Sequence, residues 1–251
     1  MADRRDIVAR LDALLDVEEV EDSSSNGLQV EGVETVTRVA LATDAAMATF
    51  ARAIDLGCEM LLVHHGIIWG GIERVTGATR RRLELLLSSG LNLYAAHLPL
   101  DLHPELGNNA VLARIAGLVD TAPFGRYRGR LIGVRGTLPE PIPAADLAER
   151  WRAEIGGEPR ILPFGPDRVR TVGVVSGGGG SIIGEAVSSG LDCFATGEAE
   201  HVLHHEALEG GVSVICLGHY ASETVGVRAV GEELERRFGV ETVFVDEPTG
   251  L

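Results

Sequence analysis

The sequence predicts an α/β fold of two lobes that repeat a strand–helix unit, and three observations carry that prediction. Short apolar runs bounded by glycine or polar residues alternate with segments of helical apolar spacing, the pattern of βα units. Several of those runs end in ligating side chains, as Leu61-Leu62-Val63 ends in His64-His65-Gly66. Ligands in α/β proteins bind at the carboxyl ends of strands. The third observation is an internal echo. Thr43 and Ser176, Gly57 and Gly190, and His65 and Glu198 each stand 133 residues apart (176 − 43, 190 − 57 and 198 − 65), and His97-x-x-x-Asp101 precedes His219-x-x-x-Glu223 by 122 (219 − 97). Residue identity between the halves is weak, so common α/β grammar is a competing account; a duplicated unit is the stronger reading.

Taken in order, residues 6–15 place Ile7, Val8, Leu11, Leu14 and Leu15 on one helical stripe. Residues 18–22 are acidic, and Ser23-Ser24-Ser25-Asn26-Gly27 reads as a turn. Residues 37–42 form a strand, with Thr43-Asp44 at its end offering helix-capping chemistry for a helix at 45–56 that Gly57 closes. The strand at 59–63 delivers His64 and His65. A helix at 79–89 closes at Gly90, and the strand at 91–96 delivers His97. A further helix occupies 106–115. Residues 120–129, carrying Pro123, Gly125 and Gly129, read as a boundary. This gives an N-terminal lobe of residues 1–125 and a C-terminal lobe of 126–251, with the last segment packing back on the first lobe.

The second lobe begins with a strand at 130–136. A turn with Pro139, Pro141 and Pro143 then opens a helix at 144–155. A strand at 168–175 runs into Ser176-Gly177-Gly178-Gly179-Gly180, followed by a helix at 182–189. A strand at 192–195 ends at Thr196-Gly197-Glu198, a helix spans 199–209, and a strand at 212–217 ends at Gly218-His219. A long amphipathic helix at 223–238 and a strand at 241–245 complete the chain.

Composition narrows the function. With 251 residues, 45% hydrophobic and mean hydropathy +0.14, the chain can bury a full core. No apolar run approaches the roughly 20 residues of a membrane helix, and the first residues lack the apolar middle of a signal peptide. Cys58, Cys193 and Cys216 are odd in number and far apart, which suits buried thiols in a reducing cytoplasm. The net charge is −15, and every one of the 22 basic residues is arginine. A GC-rich genome would favour arginine over lysine but would not create the acid excess. The balance points to a halophile, where salt screens self-repulsion. Without lysine there is no Schiff base and no P-loop. Nucleic-acid binding through a basic face is also disfavoured, because Arg80-Arg81-Arg82 is the only compact basic run and it lies on a helix beside Glu84.

Imidazoles and carboxylates dominate the strand ends. His64, His65, Asp101, His219 and Glu223 together offer three imidazoles and two carboxylates, the ligand set for Zn, Fe, Mn, Co or Ni. That is generous for one ion and natural for two roughly 4 Å apart, sharing a bridging carboxylate and water. Structural readings compete for several residues. His97 in Ala-Ala-His-Leu-Pro could be a hydrogen-bonded core histidine, His103 beside Pro104 a loop residue, and Glu223 an acid favoured at a helix N-terminus. His201, His204 and His205 imitate a metal motif but lack the general-base glutamate of His-Glu-x-x-His, so they read as surface. Gly177 to Gly180 could cradle an anion or simply form a tight turn.

These segments resemble the Nif-three-like dinuclear-metal proteins, a family often labelled GTP cyclohydrolase 1 type 2 homologues that includes the YbgI-like proteins. The resemblance runs through Asn26-Gly27-Leu28-Gln29-Val30, Val63-His64-His65-Gly66, Ala96-His97-Leu98-Pro99-Leu100-Asp101, Ser176-Gly177-Gly178-Gly179, Thr196-Gly197-Glu198 and Gly218-His219-Tyr220-Ala221-Ser222-Glu223. The last is the most specific. The resemblance implies two interlinked α/β lobes with a metal site in the cleft between them. It implies His64, His65, Asp101, His219 and Glu223 as ligands, Glu223 as the bridge, and His97 beside the metals. It also implies hexameric rings built as trimers of dimers. Leu98-Pro99 departs from the Thr-Asn of many members without touching a ligand.

The expected activity is metal-dependent hydrolysis of a nucleotide or related heterocycle, with His97 or Glu198 shuttling protons. The rival readings are a non-catalytic metal-binding or trafficking protein, and a regulatory scaffold. Turnover of a nucleotide panel by metal-loaded protein separates the first from the others.

Overall fold

A computed structural model describes residues 1–251 and divides them into two compact units: residues 1–100 with 227–247, and residues 101–226 with 248–251. The chain is therefore interlinked, leaving the first unit at Asp101 and re-entering it at Val227.

In the first unit, strands Arg38–Asp44, Met60–His65 and Asn92–Ala95 run parallel side by side. Glu241–Phe244 adds in parallel beside Arg38–Asp44, and Gly27–Val30 pairs antiparallel with Asn92–Ala95 at the other edge. Met60–His65 is central, and Met60 through His64 are buried without alternation, as expected where helices cover both faces of a sheet. Leu61 and Val63 pack with Ala40, Phe50, Leu86 and Leu93. Each such large side chain contributes roughly 1.5–3 kcal/mol by leaving water. Helix Arg4–Leu15 buries Ile7, Leu11 and Leu15 at four-residue spacing. Asp3 caps it by accepting from the Arg5 amide at 2.7 Å.

In the second unit, the sheet order is Val119–Tyr127, Arg130–Ile142, Val169–Val175, Cys193–Thr196, Ser213–Cys216, Arg160–Leu162. The three strands from Val169 to Cys216 are mutually parallel, and their neighbours on either side are antiparallel. Phe124, Val175, Ile183, Phe194 and Val214 share the core. Trp151, on helix Ala144–Ile155, is fully buried and donates its indole N–H to Leu112 O at 2.9 Å.

Residues 120–129 are regular structure. They form most of the edge strand Val119–Tyr127 and the tight turn of its hairpin with Arg130–Ile142. An edge strand tolerates the missing amide of Pro123. Gly125 sits at φ +76, where an added Cβ would stand 3.1 Å from Val175 and 3.2 Å from Ile182. Residues that usually break strands are thus used inside one.

Both units share one topology. A helix, an antiparallel edge strand and three parallel strands with intervening helices follow in that order, as Arg4–Leu15 and Gly27–Val30 do in the first and Ala144–Ile155 and Arg160–Leu162 in the second. The two edge strands begin 133 residues apart (160 − 27), the same offset as the sequence echo. Common α/β grammar does not account for a matched edge strand. The duplication is architectural.

Candidate metal centre

Three imidazoles of the first unit converge. His64 and His65 leave the end of strand Met60–His65, and His97 follows strand Asn92–Ala95. Their ring centroids lie 4.7 Å (His64–His65), 5.1 Å (His64–His97) and 5.6 Å (His65–His97) apart. One ligand atom from each falls within 4.8 Å of the others. Every Nδ1 is committed elsewhere. That of His64 donates to Ala96 O at 2.9 Å, that of His65 to Asp44 Oδ1 at 2.9 Å, and that of His97 to Asp22 Oδ2 at 2.9 Å. These partners are acceptors, so each Nδ1 donates to its partner, which orients the ring and makes Nε2 the nitrogen with which it can ligate. Oriented imidazoles of this kind are what metal sites use.

The supports are themselves held. Asp22 accepts from Asn26 Nδ2 at 3.0 Å and the Leu98 amide at 3.1 Å. Burial opposes its charge, but these donors and His97 outweigh burial and hold the carboxyl well below its ordinary range. Asn26 also receives the His97 amide at 2.8 Å. Gln29 Oε1 accepts from the Ile67 and Ile68 amides at 2.8 and 3.2 Å, bracing the loop that follows His65. A Cβ on Gly66 would stand 2.4 Å from the Gln29 amide group, so a side chain there would displace the brace that Gln29 provides. The Asn26-to-Val30 segment thus fixes His97 and the His65 loop. It is not merely a turn.

Asp44 was expected to cap a helix. The helix Met47–Asp55 instead starts after Ala46, whose amide donates to Thr49 Oγ1 at 2.9 Å, and Asp44 lies too far upstream to cap it. Its carboxylate orients His65.

The second unit assembles His219, Glu223 and Glu198. His219 follows strand Ser213–Cys216 and opens the short helix His219–Ser222. Its Nε2 lies 3.1 Å from Glu223 Oε2, and its Nδ1 lies 2.5 Å from Glu198 Oε1. Glu223, then burial acting the other way, then Glu198 set the net result: the imidazole is pushed up to about 9. As an imidazolium, His219 places a positive charge between these two carboxylates. Glu223 is buried, only 3% exposed.

The turn Ser176–Gly177 lies against the carboxylates of Asp101 and Glu223. Asp101 Oδ1 accepts from Ser176 Oγ at 3.3 Å and from Asn108 Nδ2 at 2.9 Å. A Cβ on Gly177 would lie 2.1 Å from Glu223 Oε1, and its φ of +59 favours glycine independently. Gly177 N donates to Ser222 Oγ at 3.0 Å, while Gly180 N donates to Glu200 Oε1 at 3.2 Å. Two amides of the glycine run are thus committed to side chains of the chain itself.

Other histidines keep structural positions. His103 Nδ1 accepts from the Leu106 amide at 3.0 Å, closing a turn. His201, His204 and His205 are exposed, with His204 edge-on to Phe164 at 5.1 Å. All three cysteines are buried, and burial raises Cys58 and Cys216 to about 11, so none offers a ready thiolate. No helix is long and apolar enough to cross a membrane. Sequence reasoning missed Asp22, Asn108 and Ser222. Asp22 had no local signal, since it meets His97 from 75 residues away.

The chain is similar to known proteins along its whole length. The profile of the DUF34/NIF3 (NGG1p interacting factor 3) family matches residues 2–250. A protein of Archaeoglobus fulgidus named GTP cyclohydrolase 1 type 2 homolog is 46% identical over 246 residues, covering 98% of each chain. Among solved structures, TTHA1606 from Thermus thermophilus superposes with a TM-score of 0.92 at 44% identity and full coverage of both chains. The protein ybgI, described as of unknown function, gives 0.91 at 36% identity, again with full coverage of both. A family profile spanning the chain and relatives at this identity leave one assignment: the chain belongs to the DUF34/NIF3 family.

Proposed function

We propose that the protein is a dinuclear metal-dependent hydrolase acting on a nucleotide or related heterocycle, with His64, His65, Asp101, His219 and Glu223 as ligands and Glu223 as the bridge. The observation that carries this reading is the convergence of His64, His65 and His97 with every Nδ1 pinned. The donor set fits divalent Zn, Fe, Mn, Co or Ni. The imidazolium of His219, held by two carboxylates, is the kind of charge that a cation replaces. Bound there, two ions would supply Lewis-acid polarisation and acidify water.

The chain's own residues then divide the remaining work. Asp22 fixes the His97 tautomer, so His97 exchanges protons at Nε2. Asp44 and Glu198 hold the rings of His65 and His219 in place. Contacts from Asn108 and Ser176 fix the orientation of the Asp101 carboxylate. The family name of the relatives supports a nucleotide-like substrate. The family resemblance supports a homohexamer built as a trimer of dimers, in a cytoplasmic setting. The acid-rich, lysine-free composition supports a halophilic source.

The test has two stages. Metal analysis of protein dialysed against Mn(II) or Zn(II) is expected to give two ions per chain, reduced in His65→Ala and Glu223→Gln. Metal-loaded protein is then screened against a nucleotide and phosphoester panel, with turnover expected to fall in His97→Ala. Absence of retained metal overturns the centre. Retained metal without turnover of any nucleotide overturns the hydrolase.

A further inference from the structure

We propose that Trp69 is the stacking platform for the purine ring of a nucleotide presented to the metal centre, an assignment that rests on the reading of that centre given above. The indole lies 5.0 Å from the His97 ring, edge to face, and 6.1 Å from the His65 ring. It is a large aromatic side chain beside two of the three imidazoles, and it is 42% exposed.

Such exposure of the largest apolar side chain is costly unless something covers it. Ile72 and Val75, on the same loop, are also exposed, at 43% and 53%. A loosely tethered surface tryptophan would explain the exposure but not the fixation. The indole N–H donates to Gly66 O at 2.9 Å, and the residue forms a β-bridge with Ser24. The flanking chain is tied by Gly70 N to Ser23 O at 2.8 Å and by Ser25 N to Ile68 O at 3.0 Å. The ring is thus rigid before any ligand arrives, which lowers the cost of binding. A bicyclic indole matches a bicyclic base in area, and aromatic stacking tolerates any purine, so the platform recognises the ring and leaves the choice of base to other groups.

The test uses Mn(II)-loaded protein titrated calorimetrically with GTP, ATP and base-free inorganic triphosphate, alongside tryptophan emission. The chain has two tryptophans, and Trp151 is fully buried, so an accessible emission change reports Trp69. Both nucleotides are expected to quench emission while inorganic triphosphate does not. Trp69→Ala is expected to weaken both nucleotides by about 5- to 150-fold, the range for loss of one base–aromatic stack, and to leave triphosphate and Mn(II) affinity unchanged. Trp69→Phe is expected to retain most of the nucleotide affinity without the quench. Nucleotide affinity indifferent to Trp69→Ala, or an equal loss for triphosphate, overturns the stacking assignment alone, whereas Mn(II) uptake with no nucleotide binding overturns it together with the nucleotide substrate. Failure to take up Mn(II) overturns the centre and the platform with it.

Discussion

Glu198 Oε1 stands 2.5 Å from Nδ1 of His219, on the side of the ring opposite Glu223. A carboxylate behind a ligand imidazole fixes its orientation and raises its basicity, and losing one typically costs 10- to 100-fold in metal affinity. Glu198→Ala is therefore expected to weaken Mn(II) or Zn(II) binding by about that factor, with Glu198→Gln falling between it and the wild type. Calorimetric titration of each variant measures this. Unchanged affinity in Glu198→Ala would remove Glu198 from the centre.

The same contact sets a pH dependence. His219 is raised from 6.5 to about 9 in the folded, metal-free protein, first by Glu223 and then, against burial, by Glu198. A raised imidazole pKa stabilises the fold fully below the unfolded value, and that contribution is lost as pH climbs through the folded one. The Tm of metal-free protein is expected to fall between pH 6.5 and about 9, and His219→Gln to flatten that slope. Metal must displace this proton, so uptake is expected to release protons and to tighten across the same window. A metal affinity independent of pH there would contradict the arrangement.

Much of the candidate site was legible in the sequence because its histidines follow buried strands. Leu61-Leu62-Val63 can only be interior, so the polar residues that end the run must be placed by the sheet. The repeat was legible for the same reason, since Met60–His65 and Cys193–Thr196 are short, apolar and glycine-bounded. The supports were not. Asp22 looked like part of an acidic loop and Asp44 like a cap, because their roles arise from contacts 75 and 21 residues away in sequence. The strand Val119–Tyr127 was hidden by Pro123 and Gly125, which are strand breakers everywhere except at an edge or a bend.

Salt should stabilise this chain. Its 37 acidic residues exceed its 22 basic ones by fifteen, and the Debye length shrinks from about 8 Å at 0.15 M to about 3 Å at 1 M salt. Opposing this are exposed pairs such as Arg80–Glu84 and Arg152–Glu149, but each such pair is worth only about 0–1 kcal/mol. The surplus repulsion is spread over many more charges, so it decides the sign. Thermal unfolding in NaCl is expected to show Tm rising by several degrees towards molar salt. A Tm that stays flat or falls would detach the composition from a halophilic origin.

Gly177 offers the sharpest test of how the two halves differ. It occupies the place that Asp44 holds in the first half (177 − 44 = 133), and the space left by its missing side chain is filled by the Glu223 carboxylate. Alanine there meets two separate obstacles. The left-handed φ of +59 costs an alanine roughly 1–2 kcal/mol, a loss the rest of the fold can absorb. The new Cβ would also stand 2.1 Å from Glu223 Oε1, so the carboxylate must move. Gly177→Ala is therefore expected to fold with a Tm lowered by a few degrees while losing at least tenfold in metal affinity, a larger effect on the centre than on stability. Gly57→Ala supplies the control for backbone strain, because its φ is +68 and nothing lies within 4 Å of its added Cβ. It should lose similar stability and bind metal as the wild type does. If both variants bind metal normally, Glu223 does not act as a ligand from this position.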